Sequence, residues 1–156
     1  MAATVGSTQS IDLVHQFMDD LFIDRDYSRI ADLREDFVQH DLVSGMEAHG
    51  HDELEEKRRM FDGAFSDLDR TNVLSFATGD GEYVCSVDTY RVTHDGEFMG
   101  LAPTDASVEV QGVTMSRIED EQIAEMWNLL DFLGLMQQVG AVPSLDELAS
   151  SSGRGT

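Results

Sequence analysis

The 156 residues are enough for one domain with a sizeable core, and 31 acidic against 10 basic side chains give a formal net charge of −21. That balance argues against nucleic-acid partners, because phosphate contacts need clustered Lys and Arg. A single cysteine, Cys85, rules out an internal disulfide and any Cys-based metal spacing.

Residues 1–9 are small and polar and read as a frayed start. Ile11, Val14, Phe17, Met18, Leu21 and Phe22 then follow helical spacing, with Ser7, Thr8 or Ser10 available as cap. A shorter helix over Tyr27–Glu35 turns Ile30 and Leu33 inward. Phe37-Val-Gln-His-Asp-Leu42 reads as an extended entry into a sheet, where His40 suits either proton transfer or a structural hydrogen bond. The next helix runs from about Asp52 to Ala64. His49 and His51 flank Gly50 just before it, but neither shows a metal-binding helical spacing.

Strands follow. Arg70–Thr78 and Tyr83–Thr93 are joined by the turn Gly79-Asp-Gly81, which predicts a hairpin. Cys85 lies mid-strand and reads as a buried structural thiol. A loop over His94–Thr104 leads to Ser107–Ile118, in which Gly112 is expected to mark a bulge that bends the sheet. The acidic run Glu119-Asp-Glu121 turns the chain into a last strand, with Glu125, Trp127, Leu129 and Asp131 on one face and Met126, Asn128 and Leu130 on the other. On that reading Asp131 shares a face with Trp127. It is either a solvated strand end that caps the following helical turn, or an acid in an apolar pocket with a raised pKa. Gly134–Val139 is a helical turn stopped by Gly140 and Pro143, and Leu145–Leu148 a short helix. A single domain over 1–148 with a flexible Ser/Gly-rich tail at 149–156 is expected.

The ordered series His94-Asp-Gly-Glu-Phe-Met-Gly100, Ala102-Pro-Thr104, Val110-Gln-Gly112, Arg117-Ile-Glu-Asp120, Ile123-Ala-Glu125, Trp127 with Asp131, and Leu133-Gly-Leu-Met-Gln-Gln-Val-Gly140 resembles the SnoaL-like polyketide cyclases, or ester cyclases, of the nuclear-transport-factor-2-like superfamily. It departs from the pattern at Met126, where histidine is frequent, and at Asp105-Ala106. The resemblance implies an α+β fold, with helices packed on a strongly curved antiparallel sheet that forms a cone-shaped barrel around a central pocket. It also implies cofactor-free acid/base chemistry, such as an intramolecular aldol ring closure on a small carbonyl substrate. Asp131 then matches the general acid/base, with Trp127, His40 and Arg117 as substrate contacts. The other class compatible with the same scaffold is a non-catalytic ligand-binding or dimerisation module.

No metal, nucleotide or flavin motif is present in the sequence, and a homodimer is the expected assembly. No apolar run approaches about 18 residues and no signal peptide is evident, so a soluble cytoplasmic protein is expected. Of the ten bases only Lys57 is lysine. Acid excess with near-absent lysine is the composition of cytosolic proteins in salt-accumulating halophiles, where concentrated counter-ions screen the surface.

Overall fold

The computed structural model describes residues 7–153; the first six residues of the expected frayed start and the last three of the expected tail lie outside the described residues. α1 spans Ser7–Met18 and buries Val14, Phe17 and Met18, the stripe its spacing predicts. Ser10 lies within this helix, and its hydroxyl donates to the Gly81 carbonyl at 2.7 Å, pinning α1 to the turn between two strands. One π-helical turn, Asp19–Ile23, and a 3₁₀ turn, Tyr27–Asp32, carry the chain on to β1 (Val38–Asp41) and β2 (Glu47–His49). α2 (Gly50–Ala64) leads to four longer strands, β3 (Phe65–Ala77), β4 (Tyr83–His94), β5 (Ser107–Glu119) and β6 (Gln122–Leu130). α3 (Phe132–Gln138) and α4 (Leu145–Ser152) complete the chain.

The six strands form one curved, unclosed sheet in the order β2-β1-β6-β5-β4-β3, with helices packed on its concave side. Neighbours are antiparallel except β1 and β6, which run parallel with His40 opposite Trp127. About half of the chain, residues 42–121, lies between those two strands, so no hairpin sets their direction. The β5–β6 hairpin closes through Asp120 and Glu121, both at positive φ (51° and 62°), the mirror-image turn that matches strand twist. Gly112 is no bulge, because β4 and β5 stay in register through it; the sheet's irregularities fall in β3 and at Arg117/Ile118.

Alternation along β4, β5 and β6 sorts two faces. Val84, Val92, Val108, Val110, Ile118 and Met126 point to the concave side and are buried. One apolar cluster joins α1 to Phe37, Val84, Ile118 and Met126; a second joins α3 to Phe65, Val92, Val108 and Val110. The convex side leaves Leu74, Phe76, Val113, Met115 and Leu129 exposed. Cys85 lies on that convex side, half-buried rather than enclosed, and partial burial raises its thiol pKa. α4 continues past 148 to Ser152, and its first turn is closed by a reciprocal capping box of Ser144 and Glu147. Among the described residues, no helix is long and apolar enough to cross a membrane.

The charge has a stability consequence. Among the described residues every lysine and arginine pairs with a carboxylate except Arg25, which donates to the Phe65 carbonyl at 2.7 Å. Most of the 31 acids therefore have no lysine or arginine partner among the described residues. Salt weakens both the ion pairs and this repulsion, but the imbalance makes repulsion the larger sum. The thermal midpoint is expected to rise from dilute buffer to about 1 M KCl, where the Debye length is about 3 Å. Equal midpoints in the two solutions would reduce the acids to ordinary solubility charges.

Candidate functional site

Between the two apolar clusters lies a layer of polar side chains on the concave face. β4 contributes Ser86, Asp88 and Tyr90, β5 contributes Thr114 and Ser116, β6 contributes Asn128, and β1 contributes Gln39. Asp88 is fully buried and held by Arg70 Nη1 at 2.8 Å, Asn72 Nδ2 at 2.9 Å and the Ser86 hydroxyl at 2.9 Å. Arg70 also reaches Asp19 on the π-helical turn at 2.8 Å, so this ion pair ties helix to sheet. From the helical side Asp62 enters, buried, accepting from the Tyr27 hydroxyl at 2.6 Å and from Arg58, whose guanidinium lies between the Phe22 and Phe61 rings. Burial first, and then the hydrogen bond to Asp62, raises the Tyr27 pKa.

Nearer the sheet's open corner, Gln39 Nε2 donates to Asn128 Oδ1 at 2.9 Å, and Asn128 Nδ2 donates to Thr114 Oγ1 at 3.0 Å. Gln39 Oε1 is buried and has no hydrogen-bond partner. Tyr90 packs against both apolar clusters. Its phenol is pushed up in pKa by burial and then by the Asp88 charge, which outweigh the opposing effects of Arg70 and a hydrogen bond from Thr114.

β1 ends at Asp41, opposite Asn128, so the end of β6 has no partner strand on that side. A cleft of about 720 Å³ opens there, lined from the convex face by Val87, Val113 and Leu129 and from the concave face by Gly112, Leu130 and Met136. It is where the two faces of the sheet meet. Gly112 is needed at this point: a Cβ there would stand 3.1 Å from Tyr90 Cε2 and 3.4 Å from a Leu130 methyl.

Asp131 stands at the rim of this cleft. It is exposed and is the N-cap of α3: Oδ1 accepts the Gly134 N–H at 2.9 Å, and its own N–H donates to the Gln111 carbonyl at 2.9 Å. Gly134 permits that cap, since a Cβ there would lie 2.3 Å from Asp131 Oδ2. Trp127, His40 and Arg117 come together elsewhere, four residues or about 13 Å up the strand on the convex face. The His40 ring stacks on Trp127 at 5.2 Å. Its Nε2 lies 2.5 Å from Glu125 and its Nδ1 3.0 Å from Glu47. Arg117 Nε donates to Glu125 at 3.3 Å. The hydrogen bond to Glu125, then that to Glu47, raises the His40 pKa against the effect of burial. Burial disfavours the Glu125 carboxylate, but hydrogen bonds from His40 and Arg117 prevail and lower its pKa. The structure thus brings three of the anticipated residues together and leaves Asp131 apart from them.

Tyr90, Asn128, Gln39 and Thr114 are the residues that the sequence reading did not single out. The available signal was polar side chains interrupting the apolar rows Val84–Val92 and Val108–Ile118 at inward positions. The remaining histidines have local roles. His15 Nε2 lies 2.7 Å from the Ser75 hydroxyl, and His51 Nε2 lies 3.0 Å from the Arg34 carbonyl. His94 is fully buried at the end of β4, with Nδ1 2.9 Å from the Thr104 hydroxyl.

Solved structures repeat this architecture. AclR of Streptomyces galilaeus, described as a candidate hydroxylase, superposes with a TM-score of 0.79 at 22% identity, over 94% of this chain and 90% of that one. A candidate SnoaL-like polyketide cyclase from Jannaschia sp. CCS1 gives 0.78 at 22% identity, over 87% and 94%. IdmH, a candidate polyketide cyclase of Streptomyces antibioticus, gives 0.73 at 25% identity, over 85% and 99%. A search of curated proteins finds no match. The sequence profile of one family matches residues 12–139, which takes in the polar layer, Asp131 and all of the corner cleft except Val142. With fold and profile in agreement over most of its length, the chain belongs to the SnoaL-like polyketide cyclase family.

Proposed function

We propose that the protein takes a small, largely apolar carbonyl compound at the corner cleft and moves a proton there without a cofactor, by chemistry of the cyclase or isomerase kind. Asp131 is the general acid/base of this reading. The observation that supports it is the lining: Asp131 is the one ionisable side chain of a cleft otherwise built from apolar groups, a glycine and Gln111. A carboxylate at that rim can take a proton from the carbon next to a carbonyl, and the C–H electron pair passes into the carbonyl as an enolate. Attack of that enolate carbon on a second carbonyl of the same molecule closes a ring; return of the proton at another carbon isomerises it. A substrate long enough to follow the strand would reach Trp127, with His40 and Arg117 beside it.

A second reading has its own observation. Asp131 is exposed and already engaged as a helix cap, which suits a ligand-binding module with no proton transfer. One experiment separates the two. In D₂O, the bicyclic ketone 2-tetralone should shift the backbone amide resonances of residues 111–113 and 129–133 and should exchange its α-protons faster than in buffer alone. Shifts without faster exchange would leave the binding module; shifts confined to other residues would remove the cleft from both readings.

The cytoplasmic protein of this reading is a homodimer formed through the convex face. Leu74 at 54% exposure, Phe76 at 57% and Met115 at 43% form an apolar surface that a lone chain would leave in water. A standard interface buries about 800 Å² per partner. Two copies each carrying −21 repel, so association should strengthen with salt. Light scattering in molar KCl should give the mass of two chains, and a monomer mass there would sink the dimer.

A further inference from the structure

We infer that the main-chain N–H of Leu130 donates a hydrogen bond to the carbonyl oxygen of a compound in the corner cleft and holds the negative charge that develops there while Asp131 removes the neighbouring proton. This rests on the proton-transfer reading of the cleft and adds the group that receives the charge. Leu130 lines that cleft and directly precedes Asp131 in the chain.

The ladder fixes where this N–H points. The Asp131 N–H donates to the Gln111 carbonyl at 2.9 Å, so residue 131 turns its main-chain groups toward β5. Main-chain direction alternates along a strand, and Leu130, opposite Gly112, therefore turns its N–H and C=O the other way, toward the side of β1. Asn128, two residues earlier, shows the same direction: its carbonyl accepts the Leu42 N–H at 2.9 Å.

The chain that would cover Leu130 turns away before reaching it. Asp41 Oδ1 accepts the N–H groups of Val43 at 2.9 Å and Ser44 at 3.3 Å, and the Asp41 carbonyl accepts the Gly45 N–H at 2.8 Å. Gly45 supplies the positive φ (75°) that this tight return to β2 requires. Asp41 and Gly45 thus end the β1–β6 ladder at Asn128. Val43, from the β1 side, and Leu130, from β6, line the same cleft, and no described residue accepts from the Leu130 N–H.

What the corner holds is a fixed donor beside a base. Ladder bonds at Asn128 and Asp131 hold the strand on both sides of the Leu130 N–H, so a carbonyl can meet it with no rotamer to freeze. The other donor of the cleft, the Gln111 amide, sits on an exposed, rotatable side chain. His40 and Arg117 lie higher on the convex face and are committed to Glu47, Glu119 and Glu125. On Asp131, Oδ1 accepts the Gly134 N–H, which leaves Oδ2 to take a proton. The carboxylate takes the α-proton and the C–H pair forms a C=C bond. The displaced C=O pair moves onto the oxygen that the Leu130 N–H meets, and return of a proton to carbon reverses each shift.

The test uses the full chain labelled with nitrogen-15, with 2-tetralone and with tetralin, the same bicycle without the carbonyl. In the free protein the Leu130 amide should exchange with D₂O faster than the amides of Leu129 and Asp131. With about nine-tenths of the protein occupied, 2-tetralone should slow that exchange about tenfold, since it then proceeds from the unliganded remainder, and should move the amide proton downfield. Tetralin should do neither. Leu130→Pro removes an N–H that the ladder does not use, and at saturating 2-tetralone it should slow α-proton exchange by about 10²–10³-fold. Leu130→Ala trims the side chain and keeps the N–H, so its saturated rate should stay within about threefold of the parent. Should the proline chain not fold, the amide measurements on the parent decide alone.

A Leu130 amide that responds equally to 2-tetralone and tetralin, or a carbonyl-dependent shift at the Gln111 side-chain amide in its place, would overturn the donor. The parental rate in Leu130→Pro, alongside a loss in Asp131→Asn, would overturn it too and leave the proton-transfer reading standing. Carbonyl-dependent protection of Leu130 in a parent that exchanges α-protons no faster than buffer would overturn proton transfer and keep the contact. Failure of the parent to bind 2-tetralone would overturn both.

Discussion

Asp131→Asn should fold with an almost unchanged thermal midpoint and exchange the α-protons of a bound ketone about 10²–10⁴-fold more slowly than the parent, the usual scale for a general base. The separation of the two effects comes from the cap. Asparagine and aspartate are near-equal at a helix N-cap, so the side chain can still accept the Gly134 N–H that now reaches Oδ1 at 2.9 Å. What the amide loses is charge beside the first turn of α3, at most about 0.3–1 kcal/mol at an exposed position. Asp131→Ala is the control: it loses the cap as well, at about 0.5–2 kcal/mol, together with the base. Fluorescence melts and proton exchange by NMR read both quantities on each variant. If asparagine leaves the exchange rate untouched, Asp131 is a cap only and is not the base.

Local pattern was the reliable guide to the fold. The apolar stripe Val14, Phe17, Met18, Leu21 and the alternation along β4, β5 and β6 depend on neighbours within a few residues, and these elements lie where periodicity puts them. The parallel β1–β6 pairing joins residues nearly ninety positions apart, and β1 and β2, with four and three residues of strand, carry too little pattern to announce themselves. The site shows the same division. Alternation correctly put Trp127 and Leu129 on one face and Met126, Asn128 and Leu130 on the other, while Asp131 falls just past the strand as the cap of α3, but a single strand does not say which face the helices cover. A tryptophan invites the inside assignment; here its ring is satisfied by stacking on His40 at the convex surface, while smaller Asn128 enters the polar layer. Gly112 misled for a related reason. A glycine in a strand signals either a bulge or a close approach, and only the Tyr90 ring opposite, from another strand, decides for the second.

Arg70→Met should be the most destabilising single change outside the apolar clusters. Asp88 has no exposed surface and the Arg70 side chain only 4%, so their 2.8 Å contact is a buried ion pair. Removing the cation leaves a carboxylate that neither water nor a counter-ion reaches, at a cost of about 3–5 kcal/mol. Asn72 and Ser86 still donate to Asp88, yet two neutral donors do not replace a guanidinium. The same change frees Asp19 and with it the link from the π-helical turn to β3. For a chain of this size each kcal/mol moves the midpoint by roughly 2–4 °C, so a fall of about 6–20 °C is expected by calorimetry. The double variant Arg70→Met with Asp88→Asn identifies the cause. An amide of the same shape needs no cation, so the pair should melt above Arg70→Met alone, with a coupling that independent sites would not show. A double variant that melts at or below the single one would place the cost in the lost Asp19 tether, and the polar layer would then be held from the helical side rather than by the charge at its centre.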